Sequence, residues 1–433
     1  MSRSRTATLL SSLSLRVVIA LILGLAVGAA AQAWGGERGR IAVETAESFG
    51  AVWLNALRIT VIPLVFALLV TGIASIADAA ATGRLAIRAL TVFAIMLGCA
   101  TVYAILAASG LLALWPIDPE GGRALLAGLP AQAAEAVGEA AHTDGLKAFL
   151  NSLAPSNLIK AAADDGVLGV VVFSIAFGFA TTRLTPRLRQ PLAEFFEAVA
   201  EAMVIIVHWV LLAAPFGVFA LALGVGLRAG LGAAGVLGHY ISIVSLSQIG
   251  LILLTYGAVI AFGRIGLARF ARAAAPAQVV AFSTQSSLAS LPAMVEAART
   301  ALGVAPAAAG LVLPLAVAVF RLTSPVANLA VCIYVAHLYG VPLGFGALVA
   351  GGLTAIAVSV ASVGLPGQVS FFAAVGPICL AMGLPLDVLP LLLAVEVVPD
   401  IFRTIGNVTG DLAAARIVQG DDDQPAPDPT AGI

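Results

Sequence analysis

Apolar runs of membrane-spanning length alternate with short polar connections along almost the whole chain. They lie near Leu13 to Trp34, Phe49 to Ile76, Leu85 to Trp115, Val167 to Thr181, Phe196 to Gly226, Val236 to Phe262, Ala307 to Leu338 and Leu384 to Val418. A hydrocarbon core of about 30 Å takes roughly 20 helical residues, so the pattern predicts about eight crossings, several long enough to tilt or extend beyond the bilayer. Two other segments break the pattern. One is the hydroxyl-rich Phe282-Ser-Thr-Gln-Ser-Ser-Leu-Ala-Ser-Leu-Pro292; the other contains Gly364-Leu-Pro-Gly367, which interrupts a helix. Each predicts a helical hairpin that enters the membrane and turns back, near 268–300 and 344–381. Non-helical backbone at that depth survives only where protein or a watery site satisfies its polar groups. The alternative, two surface loops between ordinary spans, requires a further crossing.

The last run carries the most unusual polar pattern. Glu396, Asp400, Arg403, Asn407 and Asp411 follow one another at spacings of three or four residues, so on a helix they form one stripe. Such a stripe is expensive in lipid and turns toward protein or a hydrated cavity, where it marks the path of an ion or solute. Broken hairpins converging on a charged stripe are the pattern of a transporter with discontinuous helices around a midplane site.

Composition sharpens this reading. The 433 residues are 61% hydrophobic and 10% charged, with a mean hydropathy of +1.05, which excludes an ordinary soluble domain. A formal net charge of -1 and the absence of a basic patch give no sign of nucleic-acid binding. Arg3, Arg5, Arg16, Arg84, Arg88, Arg183, Arg187, Arg189, Arg264, Arg269 and Arg272 cluster at every second connection, which puts both termini in the cytoplasm. The first run is read as a membrane helix rather than a cleaved leader. Residues 420–433, with Asp421-Asp-Asp423 and three prolines, read as a disordered cytoplasmic tail. Cys99, Cys332 and Cys379 lie in apolar runs without metal or redox spacing. No nucleophile and base pair suggests an enzyme.

With these segments assembled, the chain resembles the dicarboxylate/amino acid:cation symporter family, which includes archaeal aspartate and mammalian glutamate transporters. The likeness runs from about Leu13 to Val418. It rests on Ile62-Pro-Leu-Val-Phe66, Asp165-Gly-Val-Leu-Gly-Val-Val-Val-Phe173, Ala214-Pro-Phe-Gly-Val-Phe-Ala-Leu221, the serine-rich tip ending in Leu291-Pro292, Gly364-Leu-Pro-Gly367 and Asp400-Ile-Phe-Arg-Thr-Ile-Gly-Asn-Val-Thr-Gly-Asp411. The resemblance implies an all-α integral membrane fold of eight transmembrane helices plus two re-entrant helical hairpins, of the elevator type, assembled as a homotrimer in the cell (inner) membrane. The scaffold would comprise spans near 13–76 and 145–227. The transport part would comprise spans near 84–115 and 231–419, both hairpins included.

By the same resemblance, Asp400 would hold a substrate amino group and Arg403 a side-chain carboxylate, with Thr404 and Asn407 beside them. Ser286, Ser287 and Ser324 would complete the substrate site, and Leu365, Pro366 and Gly367 would close it as an outer gate. A guanidinium is a planar fork suited to a carboxylate. Asp400 and Arg403 also stand at i, i+3, so mutual neutralisation is the competing reading.

The family pattern breaks at the seventh span. Where the family has Asn-Met-Asp-Gly-Thr, this chain has Phe320-Arg-Leu-Thr-Ser324, and Met96 and Leu97 replace hydroxyl residues of the third span. A hard cation needs several oxygen ligands, and Asp411 and Asn407 are the candidates that remain for sodium. Arg321 is expected to pair with Asp411 or Asp400 as a tethered cation, and Glu396 is a carboxylate able to support proton coupling. The reading is a secondary transporter of a small anionic solute, an acidic or related amino acid, with non-standard cation coupling. Sodium ions or protons would be the coupling ions, with no organic cofactor. The alternatives are a proton-coupled or uncoupled dicarboxylate carrier, and a non-transporting sensor or anion pore on the same scaffold.

Overall fold

The computed structural model describes residues 13–81, 83–127, 155–163, 167–229, 232–361 and 367–419. Their regular secondary structure is all helical. In chain order the helices are α1 (Leu13–Trp34), α2 (Gly36–Arg58), α3 (Val61–Ala81), α4 (Arg84–Leu114), α5 (Pro119–Ala127), α6 (Leu158–Ala163), α7 (Val167–Thr182), α8 (Pro186–Leu212) and α9 (Ala214–Ala229). They continue as α10 (Gly232–Phe262), α11 (Leu267–Thr284), α12 (Ser287–Thr300), α13 (Pro306–Val319), α14 (Ser324–Tyr339), α15 (Phe345–Ala361), α16 (Gly367–Ala381), α17 (Leu389–Val395) and α18 (Val397–Gln419).

Six helical stretches are long and apolar enough to cross a membrane: Leu15–Trp34, Gly36–Ala80, Arg84–Leu114, Pro186–Leu212, Ala234–Phe262 and Pro306–Tyr339. The fourth and eighth expected crossings fall outside that set. The fourth, α7, has only 16 residues, and the last carries the charged stripe. Four expected spans are each divided in two. The run Phe49 to Ile76 divides into α2 and α3 at Ile59 and Thr60. The run Phe196 to Gly226 spans the junction of α8 and α9 at Ala213, just before Pro215; Ala307 to Leu338 divides into α13 and α14, and Leu384 to Val418 into α17 and α18.

Proline explains two of these breaks, because its nitrogen has no proton to donate to the carbonyl four residues earlier. Pro325 cannot bond the Arg321 carbonyl, which instead accepts the Ser324 N–H at 3.0 Å in a tighter turn. Phe320 just upstream is extended, at φ -116° and ψ 96°. Pro399 likewise cannot serve Val395, and the Glu396 N–H turns back to the Leu393 carbonyl at 3.2 Å. The first hairpin turns at Gln285, which is left-handed at φ 51°. Ser286 then caps α12, its hydroxyl accepting the Ala289 N–H at 3.2 Å. The second hairpin has α15 and α16 as its arms; its tip at 362–366 lies outside the described residues.

Two groups of helices result. In one, α1 and α2 pack on α9, and α3 packs on α7 and α8. Gly28 and Gly226 set the closeness of α1 and α9, since a Cβ on either would lie 2.2 Å from the Leu223 carbonyl oxygen or 2.3 Å from that of Leu25. In the other, α18 is enclosed by α10, α11, α12 and α13, while α14 packs on α4, α10, α15 and α16. Arg58 at the end of α2 reaches across to Asp387, ahead of α17, at 2.8 Å.

Candidate functional site

The five stripe residues of the last segment all face inward. Glu396 is fully buried, and none of Asp400, Arg403, Asn407 and Asp411 is more than 6% exposed. Burial of a charge at this depth costs several kcal/mol unless it is paired and hydrogen-bonded. The pairing is internal. Arg403 donates through Nη1 to Asp400 Oδ1 at 3.1 Å and through Nη2 to Glu396 Oε1. The second Glu396 oxygen accepts the Tyr240 hydroxyl at 2.9 Å, and Tyr240 on α10 is itself fully buried. Both terminal nitrogens of the Arg403 fork are therefore occupied by the chain's own carboxylates.

The helix break at 320–323 is clasped to α18 through Thr323. Its N–H donates to Asn407 Oδ1 at 3.0 Å, and its hydroxyl lies 2.6 Å from both that oxygen and the Arg403 carbonyl. Two glycines of α18 make room for this contact. A Cβ on Gly406 would stand 2.2 Å from the Thr323 methyl, and one on Gly410 would stand 2.8 Å from Leu322 Cδ2. Thr404 spends its hydroxyl on the Asp400 carbonyl at 3.0 Å, and Ser324 accepts from Asn328 Nδ2 at 3.4 Å. Gln278 of the first hairpin anchors α11 to α18 by donating to Thr409 at 2.8 Å.

The substituted positions of the seventh span are filled with carbon. Phe320 is fully buried and stacks on Phe93 of α4, ring centroids 4.4 Å apart at 12°. Leu322 lies buried under Gly410, and Leu97 is buried on α4. No group of three or more His, Cys, Asp or Glu side chains suited to a metal occurs among the described residues. Asp411 nevertheless presents two buried carboxylate oxygens without a hydrogen-bond partner, which suits a mobile cation.

Arg321 departs from expectation. It makes no ion pair within 4.0 Å and no hydrogen bond with any described residue, and its buried Nε has no partner. Asp411, Arg403 and Asp400 are the charged groups that act on it through space. The expected contact pairing with Asp411 or Asp400 is thus not formed, although the neighbouring Leu322 and Thr323 pack against α18.

The fold thus gathers Glu396, Asp400, Arg403, Thr404 and Asn407, with Arg321 and Ser324 at the adjoining break. Ser286 and Ser287 sit at the first hairpin tip, where the arm α12 packs on α18 without a direct bond to the charged cluster. Leu365 and Pro366 lie outside the described residues, and Gly367 opens α16. Sequence reasoning missed Tyr240 and Thr323. A hydroxyl in an apolar run was the available signal, but nothing in the spacing linked Tyr240 to a carboxylate more than a hundred residues away.

Residues 13–420 match the sodium:dicarboxylate symporter family. The chain belongs to this family. It is 26% identical over 407 residues to the proton/glutamate-aspartate symporter of Escherichia coli (strain K12), covering 94% of this chain and 92% of that one. It is 30% identical over 449 residues to the human neutral amino acid transporter B(0), covering 94% and 80%. It is 28% identical over 418 residues to the C4-dicarboxylate transport protein 3 of Ralstonia nicotianae (strain ATCC BAA-1114 / GMI1000), covering 94% and 89%. This symporter-family chain is a multi-pass, all-helical membrane transporter and not an enzyme.

Proposed function

We propose that the protein is a secondary active carrier of a small anionic solute, foremost an acidic or related amino acid, driven by a cation gradient. The observation that carries this reading is the buried Glu396, Arg403 and Asp400 cluster held against a broken helix. A purely structural role gives no reason to bury so many charges beside interrupted backbone. The relatives, named for glutamate and aspartate, neutral amino acids and C4-dicarboxylates, support the same solute class. In this reading spans near 13–76 and 145–227 are a fixed scaffold. Residues 84–115 and 231–419 move across it as an elevator, the hairpin tips at Ser286, Ser287 and Leu365 to Gly367 acting as gates.

Coupling follows from the donors that remain. Phe320 and Leu322 remove oxygen ligands from the break, so sodium has Asp411 and Asn407 left, and the Asn407 oxygen already accepts from Thr323. Protons need only a carboxylate, and Glu396 and Asp411 supply two. We therefore assign proton coupling, with a trimer in the inner membrane and both termini in the cytoplasm. The test is uptake of labelled aspartate into proteoliposomes under a proton gradient, a sodium gradient or none. Proton-driven accumulation is expected. Accumulation that requires sodium overturns the coupling, and no uptake of aspartate or of succinate under any gradient overturns the carrier itself. The uncommitted guanidinium of Arg321 favours a second reading, a dicarboxylate carrier, which labelled succinate tests in the same vesicles.

A further inference from the structure

We infer that the ion pair of Arg58 with Asp387 is a latch that holds the moving part of the carrier at one end of its travel. This rests on the carrier reading above, in which one group of helices moves across the other. The surface between the groups is well suited to sliding. The second hairpin lays its arms α15 and α16 on α3, α7 and α8, and α17 lies against α1 and α9. Where α3, α7 and α15 meet, Leu69, Ile73, Phe179, Ala357 and Val360 line an apolar cavity of about 130 Å³. Apolar contact has no directional partner to lose, and a void forfeits contacts on one side, so a shift along this surface is resisted weakly.

Arg58 crosses that surface with a bond that does have a direction. It closes the last turn of α2 at the break before α3, and its Nη2 donates to Asp387 Oδ1 at 2.8 Å. Asp387 belongs to the other group, between α16 and α17, and its side chain is only 11% exposed, against 37% for Arg58. An ion pair holds only within about 4 Å, so a displacement of a few ångströms breaks it. Carrying a site toward the other face of a core about 30 Å thick demands more than that. The pair therefore belongs to one end of the movement. Asp387 also has a second donor within its own group. Tyr339, the last residue of α14, has a buried hydroxyl without a partner, and Asp387 and Arg58 both act on it through space. Tyr339 travels with Asp387, so its hydroxyl is the donor to which the carboxylate turns when Arg58 withdraws.

The experiment measures the position of one group against the other in the full chain reconstituted in lipid. Spin labels are attached through Phe195→Cys on α8 and Phe345→Cys on α15, both exposed positions, with the exposed Cys99 replaced by serine. Labelled chains are diluted with unlabelled ones so that each distance lies within one chain. Two separations are expected, one of them that of this structure. Arg58→Ala and Asp387→Asn each lower the population at this structure's separation, relative to the other, by about two- to fivefold, the range of a partly exposed ion pair. The double variant lowers it no further, and Arg58→Asp combined with Asp387→Arg restores it. Tyr339→Phe shifts the same ratio the opposite way. Proportions unchanged in the Arg58 and Asp387 variants, in chains that accumulate aspartate or succinate, overturn the latch and leave the carrier reading intact, even where the melting temperature falls. A single separation in a chain that accumulates either solute overturns the latch and the elevator movement. Accumulation of neither solute under any gradient overturns the carrier reading and the latch with it.

Discussion

Replacing Gly406 by alanine tests the closest packing in the site. The added methyl would sit 2.2 Å from the Thr323 methyl and 3.1 Å from Ile252 Cγ1, against an ordinary carbon contact of about 3.5–4.0 Å. Neighbours on two sides prevent it from sliding clear, so α18 must move away from the 320–323 break. Overpacking of this kind costs about 1–3 kcal/mol. Separation also weakens the Thr323 bonds to Asn407 and to the Arg403 carbonyl, each worth about 1 kcal/mol. Alanine returns about 1 kcal/mol through its better helix propensity. The balance is a loss of about 1–4 kcal/mol, or roughly 1–4 °C in melting temperature for a chain of this length, with weaker aspartate binding because the Arg403 backbone loses its clasp. Thermal unfolding of the detergent-solubilised protein, followed by intrinsic fluorescence, measures the first effect and calorimetry the second. Gly110→Ala is the control, since nothing lies within 4 Å of a Cβ there. Gly406→Ala with the melting temperature and affinity of the control refutes the close-packed clasp.

Three further outcomes follow from the same geometry. Tyr240→Phe removes the donor to buried Glu396 and is expected to cost about 1.5–3 kcal/mol, read as a lower melting temperature in a chain that still elutes as the native assembly. Phe320→Ala removes a ring stacked on Phe93 and is expected to destabilise by about 3–5 kcal/mol, with Phe320→Leu milder; equal stability of Phe320→Ala and the unmodified chain contradicts a packed break. Arg58 is about one-third exposed, so a double-mutant cycle of Arg58→Ala with Asp387→Asn is expected to give only about 0.5–1 kcal/mol of coupling.

Much of the architecture was legible in the chain because burial in lipid imposes a coarse rule that sequence obeys openly. The apolar runs located the helices, and the spacing from Glu396 to Asp411 predicted one inward face, which the burial of all five residues bears out. The divisions inside four spans were less legible. Pro325 and Pro399 are visible in the sequence, but proline often only kinks a membrane helix, where neighbours re-satisfy the freed carbonyl. Whether the chain breaks depends on the partner that takes the carbonyl, here Ser324 for Arg321. The charge pairing was partly legible. The Asp400 and Arg403 contact follows from i, i+3 spacing, whereas the bond from Arg403 back to Glu396 spans seven residues across a break and needs coordinates.

Arg321 was misread for an instructive reason. Two buried opposite charges on neighbouring segments are expected to meet, since separation at low dielectric is expensive. That argument treats the site as complete in the chain alone, and in a carrier it is not. Asp411 and Arg321 have free polar atoms facing no protein partner, while the two terminal nitrogens of Arg403 are taken by Glu396 and Asp400. Phe320 stacked on Phe93 fills with carbon the break at which the family resemblance leads one to expect oxygen ligands. Carbon there and a fixed guanidinium at 321 act in the same direction, each lowering the number of mobile cations needed to balance a bound anion. A transport stoichiometry with fewer cations per substrate than a symporter that keeps those oxygen ligands is the consequence, and the reversal potential of uptake in vesicles measures it.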